Sequence, residues 1–199
     1  MRPALRAAAG FLVGLVLWRV FTPGYNRLLA EAAEPLLRLL ERPAATRLYA
    51  EERRVVVDRA DFASKSERPS LPADDLTLNV ILLLGLCATR PKLLADRGVV
   101  RLLAAFGLLG LTHVAALVVT VKALYATQLG SFSAAHYGPV SRNLWVGAAH
   151  FWRVAGCWAV AFVLWWGLVR PGVSGVGTRP GRAARRREGR RASRPRGRG

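Results

Sequence analysis

The sequence predicts an all-α membrane protein with about four transmembrane helices, a small extracytoplasmic helix and strand insertion, and a disordered basic tail. Three observations carry this expectation. The chain is 52% hydrophobic and still has a formal net charge of +18. So many charges should lower the mean hydropathy of a soluble chain, yet it is +0.23, which fits a membrane protein whose charges are confined to loops and ends. Four apolar runs interrupt the charged regions, and the basic residues gather beside alternate ends of those runs.

The runs cover about 7–22, 72–89, 99–121 and 144–169. A helix needs about 20 residues to cross the ~30 Å hydrocarbon core. The third and fourth runs reach that length, and the first two lie near the lower limit. A helix in lipid satisfies its own backbone groups, so even a short apolar run is better placed there than in a soluble core that this chain lacks. For the first run the alternative is a signal peptide, with Arg2 and Arg6 before it and an Ala-Glu-Ala at Ala30–Ala32. About a dozen residues, Arg27 among them, separate the run from that site, so a retained span is expected. The membrane domain is then 1–169 and the tail 170–199.

Orientation follows from the basic residues at the span ends. Arg2 and Arg6, then Arg90, Lys92, Arg97 and Arg101, then Arg170 and ten further arginines would share one side of a four-span protein. That side is the cytoplasm, so both termini are expected inside and the protein in the cell inner membrane as a multi-pass chain. Residues 23–71 face outward and hold most of the acidic residues. Trp18, Tyr25, Tyr125, Trp145 and Trp152 fall at the outer interface, Trp165 and Trp166 at the inner one.

Within the outer segment, Asn26 to Glu41 repeats leucine and alanine at helical spacing, with Pro35 inside. It is expected to lie on the membrane surface as an amphipathic helix, kinked at the proline. Val55, Val56 and Val57 favour a short strand or hairpin within Arg47 to Phe62. Ser64 to Pro72 reads as a polar linker. The tail, rich in Gly, Pro, Ser and Arg, cannot bury enough surface to fold.

Polar residues inside the spans are the candidate site: Asn79, His113, His150 and Arg153. Such residues are unfavourable in lipid and need partners. Counting ~1.5 Å per residue puts Asn79, His113 and Arg153 roughly 10–12 Å below the outer surface. His150 and Arg153 share a helix face, and by spacing Cys157 shares it too. One reading is a pocket open to the outside, with Arg153 holding an anionic group. The simpler reading has Asn79 and His113 hydrogen-bonding between helices while His150 and Arg153 snorkel to the interface. Haem ligation by His113 and His150 has no accompanying signal, and no metal or cofactor is expected. Cys87 and Cys157, both in apolar runs, read as small packed hydrophobes.

In the tail, Arg185, Arg186, Arg187, Arg190 and Arg191 are expected to contact anionic lipid headgroups. Nucleic acid is a poorer fit, because no aromatic side chain accompanies them for base stacking. The chain has no phosphate-binding Gly-rich loop, zinc-protease motif or nucleophile elbow.

The N-terminal span, the valine-rich Arg53 to Asp58, and the stretch Leu76-Thr-Leu-Asn79 leading to Leu86-Cys-Ala-Thr-Arg-Pro-Lys92 complete the pattern. In this layout the chain resembles small bacterial integral membrane proteins encoded with exosortases, over about residues 7–169. The resemblance implies an accessory role in an envelope protein-sorting or export system, a membrane-protein partner and no activity of its own. An exosortase itself resembles a Cys, Arg and His constellation near the outer surface. Here Cys87 falls near the cytoplasmic end of its run, which disfavours a thiol transpeptidase or protease. The remaining alternative is a channel or carrier for an anionic solute.

Overall fold

The computed structural model describes residues 3–41, 45–59, 68–90 and 98–169. The arginines Arg185, Arg186, Arg187, Arg190 and Arg191, with the whole tail, lie outside the described residues, as do Lys92, Arg97 and Ser64.

Three helices are long and apolar enough to cross a membrane, over Ala4–Leu39, Gly98–Thr127 and Pro139–Val169. The first, α1 (Pro3–Leu39), merges two expected elements. It runs through Pro23 and Pro35, so the amphipathic stretch is carried along the axis of the first span rather than laid on a surface. Both prolines are exposed, as are Arg19 and Glu31, four residues before each. The carbonyls that lose their helical partners thus lie on the outer side of the rod, where the break is tolerated. At about 56 Å, α1 far exceeds a bilayer core.

A three-stranded antiparallel sheet follows, ordered β1 (Thr46–Glu51), β2 (Arg54–Arg59), β3 (Ser70–Pro72). The expected hairpin is present, with Leu48 opposite Val57 and Thr46 opposite Arg59. Its turn places Glu52 at φ 52°, a conformation that favours glycine. The third strand takes up the end of the segment read as a linker. Both edges are guarded. Along β1, Glu34 Oε2 accepts from the Leu48 N–H at 2.9 Å, and Arg38 Nε donates to the Thr46 carbonyl at 2.9 Å. The other edge is three residues long and ends in proline, so neither invites strand addition.

The second apolar run forms two helices, α2 (Asp74–Thr77) and α3 (Asn79–Ala88), joined at Leu78. Together they span about 22 Å, short of a full crossing by themselves. Every residue of α3 is nonetheless buried or half-buried. It runs antiparallel to α1 in close contact. A Cβ on Gly10 would collide with Ala88, and one on Gly14 would meet the Leu84 side chain at 3.1 Å. These two glycines, four apart, form the small-residue interface that lets membrane helices approach.

After α4 (Gly98–Thr127) and the short α5 (Ser131–His136) comes α6 (Pro139–Phe151). A π-helical stretch, Trp152–Gly156, joins it to α7 (Cys157–Leu164), and a second, Trp165–Val169, ends the described chain. The core has two parts. At the sheet end, Leu29, Ala33 and Leu37 of α1 pack with Leu48, Val55 and Val57 of the sheet and with Leu117, Val121 and Tyr125 of α4. At the opposite end, Leu83 and Cys87 pack with Ala105, Leu109, Ala161 and Val169. Large apolar side chains outside these cores stay exposed, from Leu5 to Phe21 on α1, Val99 to Leu111 on α4 and Leu144 to Trp166 from α6 to the second π-helical stretch. Such a belt is far larger than a soluble monomer leaves uncovered.

Candidate functional site

Asn79 and His113, both fully buried, meet in the middle of the bundle. His113 Nε2 lies 2.7 Å from Asn79 Oδ1, and Asn79 Nδ2 donates to the Cys157 carbonyl at 2.8 Å. On the other side of the ring, Tyr25 Oη lies 2.7 Å from His113 Nδ1. One chain of hydrogen bonds therefore links α1, α4, α3 and α7. Its polarity follows from its last member. A carbonyl only accepts, so the Asn79 amide must face Cys157 and Oδ1 must face the imidazole. Nε2 then carries a proton and donates. Among the described residues no carboxylate touches the ring, so an imidazolium would be a buried charge without a counter-ion there. The ring is neutral, and Tyr25 donates to Nδ1. Trp152 closes the site edge-on to the ring, with centroids 6.4 Å apart.

The half-buried Tyr25 turns its hydroxyl to His113, since a buried Nδ1 needs a donor. An apolar cavity of about 230 Å³ reaches Tyr25 from between α1, α3 and α4, lined by Leu17, Phe21, Leu84 and Phe106 among others. Nearby, Trp18 Nε1 donates to Thr77 Oγ1 at 3.2 Å, tying α1 to the end of α2.

His150 and Arg153 lie apart from this chain. Both are exposed and line a second cavity, of about 240 Å³, between α4, α6 and the end of β3. The four polar residues thus divide into a buried pair, hydrogen-bonded between helices, and an exposed pair. Cys157 is buried, and its thiol points back to the Arg153 carbonyl at 3.7 Å rather than to the guanidinium. This is the usual bond of a helical side chain to the carbonyl one turn back, and a π-helical stretch, Trp152–Gly156, lies between the two residues. Cys87 is buried in the core at the other end. No group of three or more His, Cys, Asp or Glu able to hold a metal exists among the described residues.

A third polar cluster fastens the sheet to the bundle. Glu41 Oε2, just past α1, accepts from Arg59 Nη1 at 3.0 Å and from Thr46 Oγ1 at 2.5 Å. Thr46 Oγ1 lies 2.7 Å from Tyr125 Oη on α4. The Arg59 guanidinium sits over the rings of Tyr125 and Phe132, at 5.2 and 5.0 Å from their centroids. Lys122 Nζ donates to the Leu40 carbonyl at 3.3 Å and stands 4.0 Å from Glu41 Oε1. All three charged side chains are at least nine-tenths buried. Burial raises the Tyr137 phenol above its ordinary pKa, with Glu41 adding to the rise and Arg59 opposing it. Lys122 directly follows the apolar run 99–121, and nothing local in the sequence gives it, Glu41 or Arg59 a partner. Their meeting depends on the hairpin folding back over α4, which no local spacing encodes.

Searches of protein-family models, of curated proteins and of solved structures each find no match to this chain.

Proposed function

We propose that this protein is a non-enzymatic accessory subunit of an envelope protein-sorting or export system. It is held in the inner membrane by four crossings, with α3 completing the fourth, and both termini face the cytoplasm. The sheet and the upper half of α1 form a rigid outer platform that meets a membrane-protein partner. The observation that carries this reading is the buried Glu41–Arg59–Thr46 cluster, which fixes the platform to α4. A platform so fastened keeps its orientation relative to the bilayer, as a docking surface requires. The neutral Tyr25–His113–Asn79 chain supports the same reading, because each of its polar atoms is occupied in holding helices together. The thiol-enzyme reading would need a cysteine within reach of a base. Cys87 sits in the far core, and Cys157 points to a backbone carbonyl.

The test is complementation in cells that lack this chain, reading the processing of an exported, sorted protein. A Cys87→Ala/Cys157→Ala chain is expected to restore processing fully. Arg47→Glu with Tyr49→Ala, on the platform's outer face, is expected to abolish it while the protein still inserts. Loss of processing in the cysteine-free chain, inserted at normal levels, would overturn the accessory reading in favour of a thiol enzyme. Normal processing in both variants, with lost uptake of an anionic solute in Arg153→Ala, would favour the carrier.

A further inference from the structure

We infer that the cavity holding His150 and Arg153 is a binding site for a phosphate group, presented by an anionic lipid in the outer leaflet. The inference rests on α4 and α6 lying in the bilayer and is independent of any accessory role.

The chemistry of the cavity is divided. Its floor is apolar, with Leu124 from α4 and Val146 and Ala149 from α6. Its polar members are Gln128, His150 and Arg153. Thr120 and Thr127 also line it, but their hydroxyls already donate to the carbonyls of Ala116 and Ala123 at 2.7 and 2.8 Å. The side chains of Gln128, His150 and Arg153 have no hydrogen bond or ion pair among the described residues.

That absence matters most for Arg153. Five described carboxylates, those of Glu31, Glu34, Glu41, Asp58 and Asp74, are paired with other arginines. A guanidinium cannot shed its charge, and no described carboxylate pairs with this one, so with α6 in the bilayer an anion from outside the chain would suit it. Its planar fork matches two oxygens of a phosphate, and His150 and Gln128 add N–H donors at the same cavity.

Position favours a lipid. The cavity flanks the last turns of α4, from Thr120 to Thr127, and Gln128 just beyond it, where the apolar helix gives way to the polar sheet end. Leu144, Phe151 and Val154, on the same long helix, are exposed apolar side chains. A headgroup phosphate seated on Arg153 would therefore leave its acyl chains on a surface already apolar. A free phosphate would use the same donors and leave that surface to other lipids.

The experiment uses the full chain, tail included, in nanodiscs of phosphatidylcholine. Phosphatidylglycerol, further phosphatidylcholine or inorganic phosphate is added, and bound ligand is read by native mass spectrometry with the thermal midpoint. Wild type is expected to retain phosphatidylglycerol about tenfold more tightly than Arg153→Gln. Arg153→Lys is expected to fall between, and Arg142→Gln, an exposed arginine of α6 outside the cavity, to match wild type. The basic tail is common to all variants, so its own lipid binding cancels. Circular dichroism checks that each variant is folded. If inorganic phosphate binds wild type and not Arg153→Gln while phosphatidylglycerol shows no preference, the phosphate site stands and its ligand is the free ion. Equal binding of phosphatidylglycerol by wild type and Arg153→Gln, or equal retention of phosphatidylcholine and phosphatidylglycerol without any phosphate effect, would overturn the inference.

Discussion

Tyr25 Oη and His113 Nδ1 lie 2.7 Å apart, although 88 residues separate them in the chain. The bond joins the first long helix to the second at mid-bundle, where water is scarce and each donor needs an acceptor. With Asn79 as the next link, it fixes both the rotation and the height of three helices relative to one another.

The coupling across this bond is measurable by a double-mutant cycle of Tyr25→Phe and His113→Leu, read as unfolding free energy in mild detergent. Interhelical hydrogen bonds in membrane proteins contribute about 0.6 kcal/mol on average and up to about 1.7 kcal/mol. A coupling in the upper part of that range is expected, because each partner is left unsatisfied when the other is removed. Strictly additive effects would mean that the two groups do not interact.

Glu41→Gln should be far more damaging. It removes a carboxylate that lies between the buried side chains of Arg59 and Lys122. Breaking a buried pair by removing one partner costs about 3–5 kcal/mol. The loss should appear as faster amide exchange across β1 and β2, with the lower bundle less affected. Glu31→Gln is the control. Its ion pair with Arg27 is exposed, and its loss should change stability by no more than about 0.5 kcal/mol.

The close approach of α1 and α3 predicts opposite outcomes at different glycines. Gly10→Ala puts a methyl group against Ala88 and should destabilise by about 1–3 kcal/mol. Gly147→Ala meets nothing within 4 Å and should be neutral or stabilising by up to about 1 kcal/mol. Thermal midpoints of the two variants, measured side by side, check this.

Glu34→Ala removes the acceptor of the Leu48 N–H at the edge of β1 and the partner of Arg38 at 2.6 Å. The exposed edge should promote association, seen as a concentration-dependent shift in light scattering of the purified protein. A monodisperse variant would show that the edge is guarded by something other than Glu34.

Much of this architecture is legible in the sequence. The apolar runs at 99–121 and 144–169 become α4 and the α6–α7 helix because length and hydropathy decide a long apolar helix locally. Val55 to Val57 announce a strand for the same local reason, through β-branching. Asn79 and His113 stand out because polar groups are rare in apolar runs, and they do meet. Features that depend on tertiary contact are not legible. Pro23 reads as a helix end, and α1 passes through it because its freed carbonyl lies on the outer side. The break at Leu78 and the π-helical stretch at Trp152–Gly156 leave no compositional mark. Tyr25 carries no local sign of a partner 88 residues away.

The central claim is a multi-pass protein whose sheet faces outward and whose two ends lie inside. Single-cysteine labelling of intact cells tests it most directly, at Glu52, Ser131 and Ser193 in a chain freed of Cys87 and Cys157. Glu52 and Ser131 are exposed at the sheet end, whereas Ser133 is buried with its hydroxyl on the Tyr125 carbonyl. The account predicts that an impermeant maleimide labels positions 52 and 131 and spares 193 until the cells are opened. Labelling of position 193 from outside, or protection of position 52, would contradict it.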